Sequence, residues 1–242
     1  MVGPMQTVTP HEPPSALATK QSAAVSGPRA SAKYAVEAIG TFFLVFTVGA
    51  AVGSGSTFAP LAIGAVLMVM IYAGGHISGG HYNPAVTLAV LVRRRISLRD
   101  AAAYWIVQFG AGLLAAAAVR AIVDPARATT IQTTTLGGRT LVAAFVVEAL
   151  FTFALCYVVL NVATSKDHPD NSYYGLAIGF TVVAGAFAVG AISGGAFNPS
   201  VTLGAAVMGL FAWPTLWIYL MAQVIGGLAA GVTFLALNPD DK

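Results

Sequence analysis

Residues 74–90 read GGHISGGHYNPAVTLAV, and residues 189–205 read VGAISGGAFNPSVTLGA. The two stretches lie 115 residues apart without a gap, and 10 of their 17 positions are identical, among them Ser78/Ser193, Gly79/Gly194, Gly80/Gly195, Asn83/Asn198 and Pro84/Pro199. A duplication of this length must be explained before anything else. Apolar stretches flank both copies, which points to a membrane protein built from two related halves.

The repeat reaches beyond the motif. LAIG at 61–64 returns at 176–179, and Tyr104, Gln108, Gly112 and Leu113 return as Tyr219, Gln223, Gly227 and Leu228, all at offset 115. EAIGTFFLVF, starting at Glu37, is echoed by EALFTFALCY, starting at Glu148, at offset 111.

Composition agrees. Hydrophobic residues make up 57% of the chain, charged residues 9%, and mean hydropathy is +0.79. A soluble domain carries roughly 25% charged residues, and so few charges could not cover a water-facing surface of this size. The sole cysteine, Cys156, sits in an apolar run, so no intramolecular disulfide can form. No H-x-E, C-x-x-C or Walker-type spacing occurs, and nothing pairs a nucleophile with a base. No enzyme activity, cofactor, metal or nucleic-acid partner is expected.

A spanning helix needs roughly 20 apolar residues. Six stretches qualify, near 34–55, 58–76, 100–122, 140–163, 172–190 and 214–237. Two shorter ones, near 83–93 and 198–210, follow the Asn-Pro motifs and read as half-helices. The first 33 residues, rich in Pro, Ser, Ala, Thr and Gln, read as a disordered tail with no signal peptide. The expected organisation is an all-α channel domain over 34–238, with repeat one near 34–122 and repeat two near 140–238. Three spans per half force the second half to enter from the opposite side, so the repeats are inverted about an axis in the membrane plane. In that topology nine of the 12 Lys and Arg residues fall on one side, and Arg120, Arg127 and Arg139 on the other. The positive-inside rule then makes both termini cytoplasmic. The arginines at 93, 94, 95 and 99 read as a cytoplasmic anchor.

Asn83-Pro84-Ala85 and Asn198-Pro199-Ser200 carry the chemistry. Asn is a strong helix cap and Pro suits the first helical position. Inverted halves bring the two half-helix N-termini together near the bilayer midplane, each with roughly half a positive charge. If each Asn oxygen caps its own helix, its NH2 group stays free as a donor. A water between the two donors must turn its oxygen to both, which breaks the hydrogen-bonded wire along the pore. Two positive helix ends also repel cations and protons.

These residues, the ISGG lead-ins, the GTFFLVF start of the first helix and Glu148 make the chain resemble the aquaporin, or major intrinsic protein, family over about 34–237. The resemblance implies six spanning helices plus two half-helices, one pore per subunit, a homotetramer in the lipid bilayer, and passage of water and small neutral solutes. The chain departs from the family's motif once, at Ser200.

The resemblance also implies a selectivity ring. Counting from the motifs puts it at Ile63, Ala186, Gly195 and Val201. Water-selective members carry an aromatic, a His, a small residue and an Arg there, and this chain keeps only the small one. Losing the Arg removes bulk and the main cluster of donors. The ring should be wide and apolar, admitting water and also ammonia, urea, hydrogen peroxide or glycerol. Alternative readings are a glycerol or small-solute facilitator with little water flux, a proton-coupled transporter and a non-conducting structural protein. By the same resemblance His76 lines the cytoplasmic pore, whereas His81 either lines the pore or packs behind its loop. Glu37 and Glu148 are intramembrane carboxyls, costly unless bonded. Their symmetric placement suggests that each accepts backbone N–H groups of a pore loop. The absence of a targeting segment points to a plasma membrane.

Overall fold

The computed structural model describes residues 27–123 and 136–241. Most of the expected tail and Arg127 lie outside the described residues. The helices are α1 (Ala30–Gly53), α2 (Ala59–Ser78), α3 (Pro84–Val92), α4 (Leu98–Ile122), α5 (Arg139–Val159), α6 (Tyr174–Ser193), α7 (Pro199–Val207) and α8 (Leu216–Leu237). A π turn, Leu160–Thr164, continues α5, and a 3-10 turn, Trp213–Thr215, leads into α8. Among the described residues six helices are long and apolar enough to cross a membrane. The protein is an all-α, multi-pass integral membrane protein.

Four boundaries move for local reasons. Helix α1 starts at Ala30, inside the expected tail, because Ala30 to Lys33 contain no helix breaker. Asn83 and Asn198 cap their helices rather than join them. Helix α7 stops at Val207, three residues short, because Gly209 turns to φ +83°.

The packing repeats with the sequence. Helix α1 lies against α4 as α5 lies against α8, and the half-helix α3 lies against α8 as α7 lies against α4. Helices α2 and α6 cross on the pseudo-twofold axis. At that crossing a Cβ on Gly64 would come 2.5 Å from the Gly179 carbonyl oxygen, and one on Gly179 equally close to Gly64's. Gly227 and Gly112 let the half-helices in: Cβ atoms there would come 2.7 Å from the Ala85 oxygen and 3.1 Å from the Ser200 oxygen. Nine residues make each half-helix about 14 Å long, half a crossing.

One ionic cluster ties the ends of three segments together. Arg93, expected as part of a cytoplasmic anchor, is buried, and of the four only Arg94, Arg95 and Arg99 are exposed. Arg93 Nη2 donates to Asp241 Oδ1 at 2.6 Å, and its guanidinium lies 4.5 Å from the centre of the Phe234 ring. Arg95 Nη2 donates to the same oxygen at 3.1 Å, and the Lys166 N–H donates to Oδ2 at 3.0 Å. The cluster sits where α3 and α8 end, so packing and charge pairing claim Arg93 before solvent does.

Candidate pore and its supporting loops

Each half-helix begins in a loop that the chain could hold only with help. Gly79 and Gly80 take φ of +91° and +63°, and Gly194 and Gly195 take +92° and +67°. Tyr82 and Phe197 follow at +48° and +49°, in the left-handed region that non-glycine residues seldom adopt. The strain is offset by bonding. The Tyr82 N–H donates to Glu37 Oε2 at 2.7 Å, and the Phe197 N–H donates to Glu148 Oε2 at 2.9 Å.

Both carboxyls are fully buried and each gathers four donors. Glu37 accepts from Ser78 Oγ at 2.7 Å, the His81 N–H at 2.9 Å, the Tyr82 N–H and Gln108 Nε2 at 2.9 Å. Glu148 accepts from Ser193 Oγ at 2.7 Å, the Ala196 N–H at 2.9 Å, the Phe197 N–H and Gln223 Nε2 at 3.0 Å. Every partner is a donor, which suits an acceptor-only carboxylate. Tyr104 and Tyr219 complete the frame by donating to the Ser78 and Ser193 carbonyls at 2.6 and 2.7 Å.

The motif asparagines meet where the two half-helices face each other. Asn83 Oδ1 accepts from the Ala85 N–H at 2.8 Å and Asn198 Oδ1 from the Ser200 N–H at 2.9 Å, so each caps its own helix. Their NH2 groups are not wholly free. Asn83 Nδ2 donates to the Phe197 carbonyl and Asn198 Nδ2 to the Tyr82 carbonyl, both at 2.9 Å. One N–H hydrogen remains on each. The half-helices thus face each other N-terminus to N-terminus, as opposite insertion requires.

A cavity of about 410 Å³ runs past both asparagines, lined among others by Ile63, Ala186, Gly195 and Val201. A Cβ on Gly195 would lie 3.3 Å from Ala186 Cα, so two of the four ring positions abut. The cavity's lining is largely aliphatic, with Leu44, Val48, Ile63 and Val201 among its members, and it also includes Thr57, Phe187 and Phe211. Pro84, Ala85, Pro199 and Ser200 are buried behind it. His76 is exposed at the end of α2, has no polar partner among the described residues and does not line this cavity. His81 does line it, with Nδ1 3.0 Å from Thr87 Oγ1 and its ring edge-on to Tyr104.

Sequence reasoning missed two things. It did not connect Ser78, Gln108 and Tyr104 with Glu37, although their recurrence at 115 was a usable signal. It also missed Phe211, which lines the cavity, stacks on Tyr219 with centroids 4.5 Å apart, and sits against Gly194. That is the slot His81 fills against Gly79 and Tyr104 in the first half. The repeat mate of His81 is Ala196, and Phe211 comes from outside the repeated motif, so no repeat signal marks it.

Ser200 Oγ is buried with no hydrogen-bond partner among the described residues. An unmade buried bond costs about 1–3 kcal/mol. Ser200→Ala should therefore raise thermal stability in detergent, by about 1 kcal/mol, and leave water permeability unchanged.

The major intrinsic protein family model matches residues 24–234. The glycerol uptake facilitator protein-like 6 of Lactiplantibacillus plantarum is 38% identical over 218 residues, covering 86% of this chain and 99% of that one. Aquaporin NIP2-1 of Oryza sativa subsp. japonica is 39% identical over 217 residues, covering 86% and 71%. Nodulin-26 of Glycine max is 36% identical over 223 residues, covering 87% and 79%. The X-ray structure of the aquaglyceroporin from Plasmodium falciparum superposes with a TM-score of 0.72 at 19% identity, covering 85% of this chain and 96% of that one, a likeness of fold. Fold and site together are those of a membrane channel with opposed half-helices. The chain belongs to the major intrinsic protein family, whose members are channels for water, glycerol and small solutes rather than enzymes.

Proposed function

We propose that this protein is a passive channel for water and a broad set of small neutral solutes, ammonia, urea, hydrogen peroxide and glycerol among them. The observation that carries this reading is the aliphatic ring of Ile63, Ala186, Gly195 and Val201 on the cavity wall. Among the described residues no arginine lines the cavity, so at this ring a solute meets neither a positive charge nor a bulky donor, and it keeps more of its own hydration. Protons and cations are stopped one stage deeper. The two capped half-helices turn their positive ends to the same point, and the remaining N–H hydrogens of Asn83 and Asn198 orient a passing water. Pro84, Ala85, Pro199 and Ser200 set the start of those helices. Glu37 and Glu148 hold the loops, and His76 lines the cytoplasmic vestibule beyond the cavity.

The channel unit spans 34–238. It acts as a homotetramer with one pore per subunit, both termini cytoplasmic, in the plasma membrane. The excess of Lys and Arg on one side supports this orientation.

Stopped-flow light scattering on proteoliposomes tests the filter, with water, glycerol, urea and hydrogen peroxide run in parallel. The wild type should pass several of them. Val201→Arg should cut glycerol and urea permeability about tenfold, a barrier rise of about 1.4 kcal/mol, while water passes. A wild type that passes water alone overturns the assignment of these four positions.

A further inference from the structure

The pseudo-twofold axis gives every residue of the outer pore a counterpart in the inner pore, and comparing the two ends exposes a break in the symmetry. Helix α2 lines the pore with Ile63 and Leu67, and the next residue on that face is Ile71. Helix α6 carries the counterparts, Ile178, Val182 and Ala186. Val201 and Gly195 of the outer ring correspond to Val86 and Gly80. The outer ring of Ile63, Ala186, Gly195 and Val201 is therefore mirrored by Ile178, Ile71, Gly80 and Val86. Three of the four residue types are the same, and only Ala186 has been exchanged for a larger side chain, Ile71.

The contacts obey the same symmetry. A Cβ on Gly195 would lie 3.3 Å from Ala186 Cα, and one on Gly80 would lie 3.5 Å from Ile71 Cα. The open space does not. Of the six stripe residues on α2 and α6, five line the cavity and Ile71 does not, being only 1% exposed. A second exchange lies one turn further on. Gly190 lines the cavity, and a Cβ there would meet nothing within 4 Å. Its counterpart Gly75 has the Tyr174 ring so close that a Cβ would lie 3.3 Å from Cε2. Tyr174 in turn corresponds to Ala59, which lines the open end. The ring of Tyr174 is held edge-on by Tyr72, with centroids 5.6 Å apart.

We infer that Ile71 and Tyr174 form the narrowest, selectivity-determining constriction of this channel, at the end nearer His76, and that the outer ring only pre-selects solutes. The inference rests on the channel reading above. The four outer-ring positions carry neither an aromatic nor a guanidinium, although Phe187 and Phe211 line the same open cavity. At the other end an isoleucine and a tyrosine occupy what the outer end leaves to alanines. An apolar constriction of this kind controls flux steeply, because water must give up hydrogen bonds to enter it.

The test is proteoliposome permeability to water, urea and glycerol for Ile71→Ala, Tyr174→Ala and Ala186→Ile. Tyr174 is partly exposed at the start of α6, so its truncation tests the constriction even where Ile71→Ala weakens the fold. Each truncation should raise glycerol and urea permeability about tenfold over wild type. Ala186→Ile copies the inner ring at the outer one. In the Ile71→Ala background, Ala186→Ile should restore the wild-type profile. Unchanged solute profiles for both truncations, in protein with wild-type melting behaviour, would overturn the inference. A wild type and truncations that all pass nothing would overturn the channel reading itself. A response to Val201→Arg with none to Tyr174→Ala would leave that reading standing and put the limiting ring outside.

Discussion

Glu148→Ala should be among the most damaging single substitutions in the chain, lowering stability by about 2–6 kcal/mol and abolishing permeability. The figure follows from what the carboxyl leaves behind. The Ala196 and Phe197 N–H groups both donate to it from a buried loop, and each unsatisfied buried donor costs about 1–3 kcal/mol. Ser193 Oγ and Gln223 Nε2 lose the same acceptor. The Phe197 backbone, at φ +49°, also loses the bond that holds it there. Its carbonyl would then no longer meet Asn83, so damage in the second half should reach the first. Detergent melting curves and proteoliposome water flux measure both effects. Glu37→Ala should match it, since its four bonds are the same. A well-folded, conducting Glu148→Ala would show that the loop holds its shape without the carboxyl.

Asp241→Ala carries the second large cost, about 3–5 kcal/mol, because it leaves the buried Arg93 guanidinium without its counter-charge. Nε and Nη1 of Arg93 already lack partners among the described residues, so there is no reserve of hydrogen bonds to take up the loss. The pair also predicts a pH dependence. Burial pushes the Asp241 carboxyl up, but the Lys166 N–H, Arg93 and Ser165 outweigh it and hold the group down at about 2. A carboxyl depressed in the folded state stabilises fully above its ordinary value of about 3.9 and loses that contribution as pH falls through about 2. Melting temperature should thus be insensitive to this group from neutral pH to about 5 and fall steeply below about 4. Asp241→Asn should start lower and lose that acid limb. The same acid limb in Asp241→Asn would assign the transition to other carboxyls.

Much of the architecture was legible because membrane physics leaves few choices. Length and apolarity define spans, and a motif repeated at a fixed offset with three spans per half dictates inversion. The capping of α3 and α7 could be read from Asn-Pro alone, since cap chemistry is local. The fate of the asparagine NH2 groups could not, because the Phe197 and Tyr82 carbonyls that accept from them belong to the opposite half. Arg93 misled for a related reason. In sequence it is one of four clustered arginines, and only the distant Asp241 and Phe234 distinguish it from its neighbours. Phe211 was invisible because it restores symmetry in space that the repeat itself had lost.

The exchange of hydrogen bonds between Asn83 and Phe197, and between Asn198 and Tyr82, bears on how the channel is made. During synthesis residue 83 leaves the ribosome more than 100 residues before residue 198. Over that interval the Tyr82 carbonyl and one Asn83 N–H lack the partners that the folded channel gives them. The first half therefore completes the bonding of its pore loop only with groups that the second half supplies. A chain truncated after α4 holds a half-channel that its own sequence cannot complete.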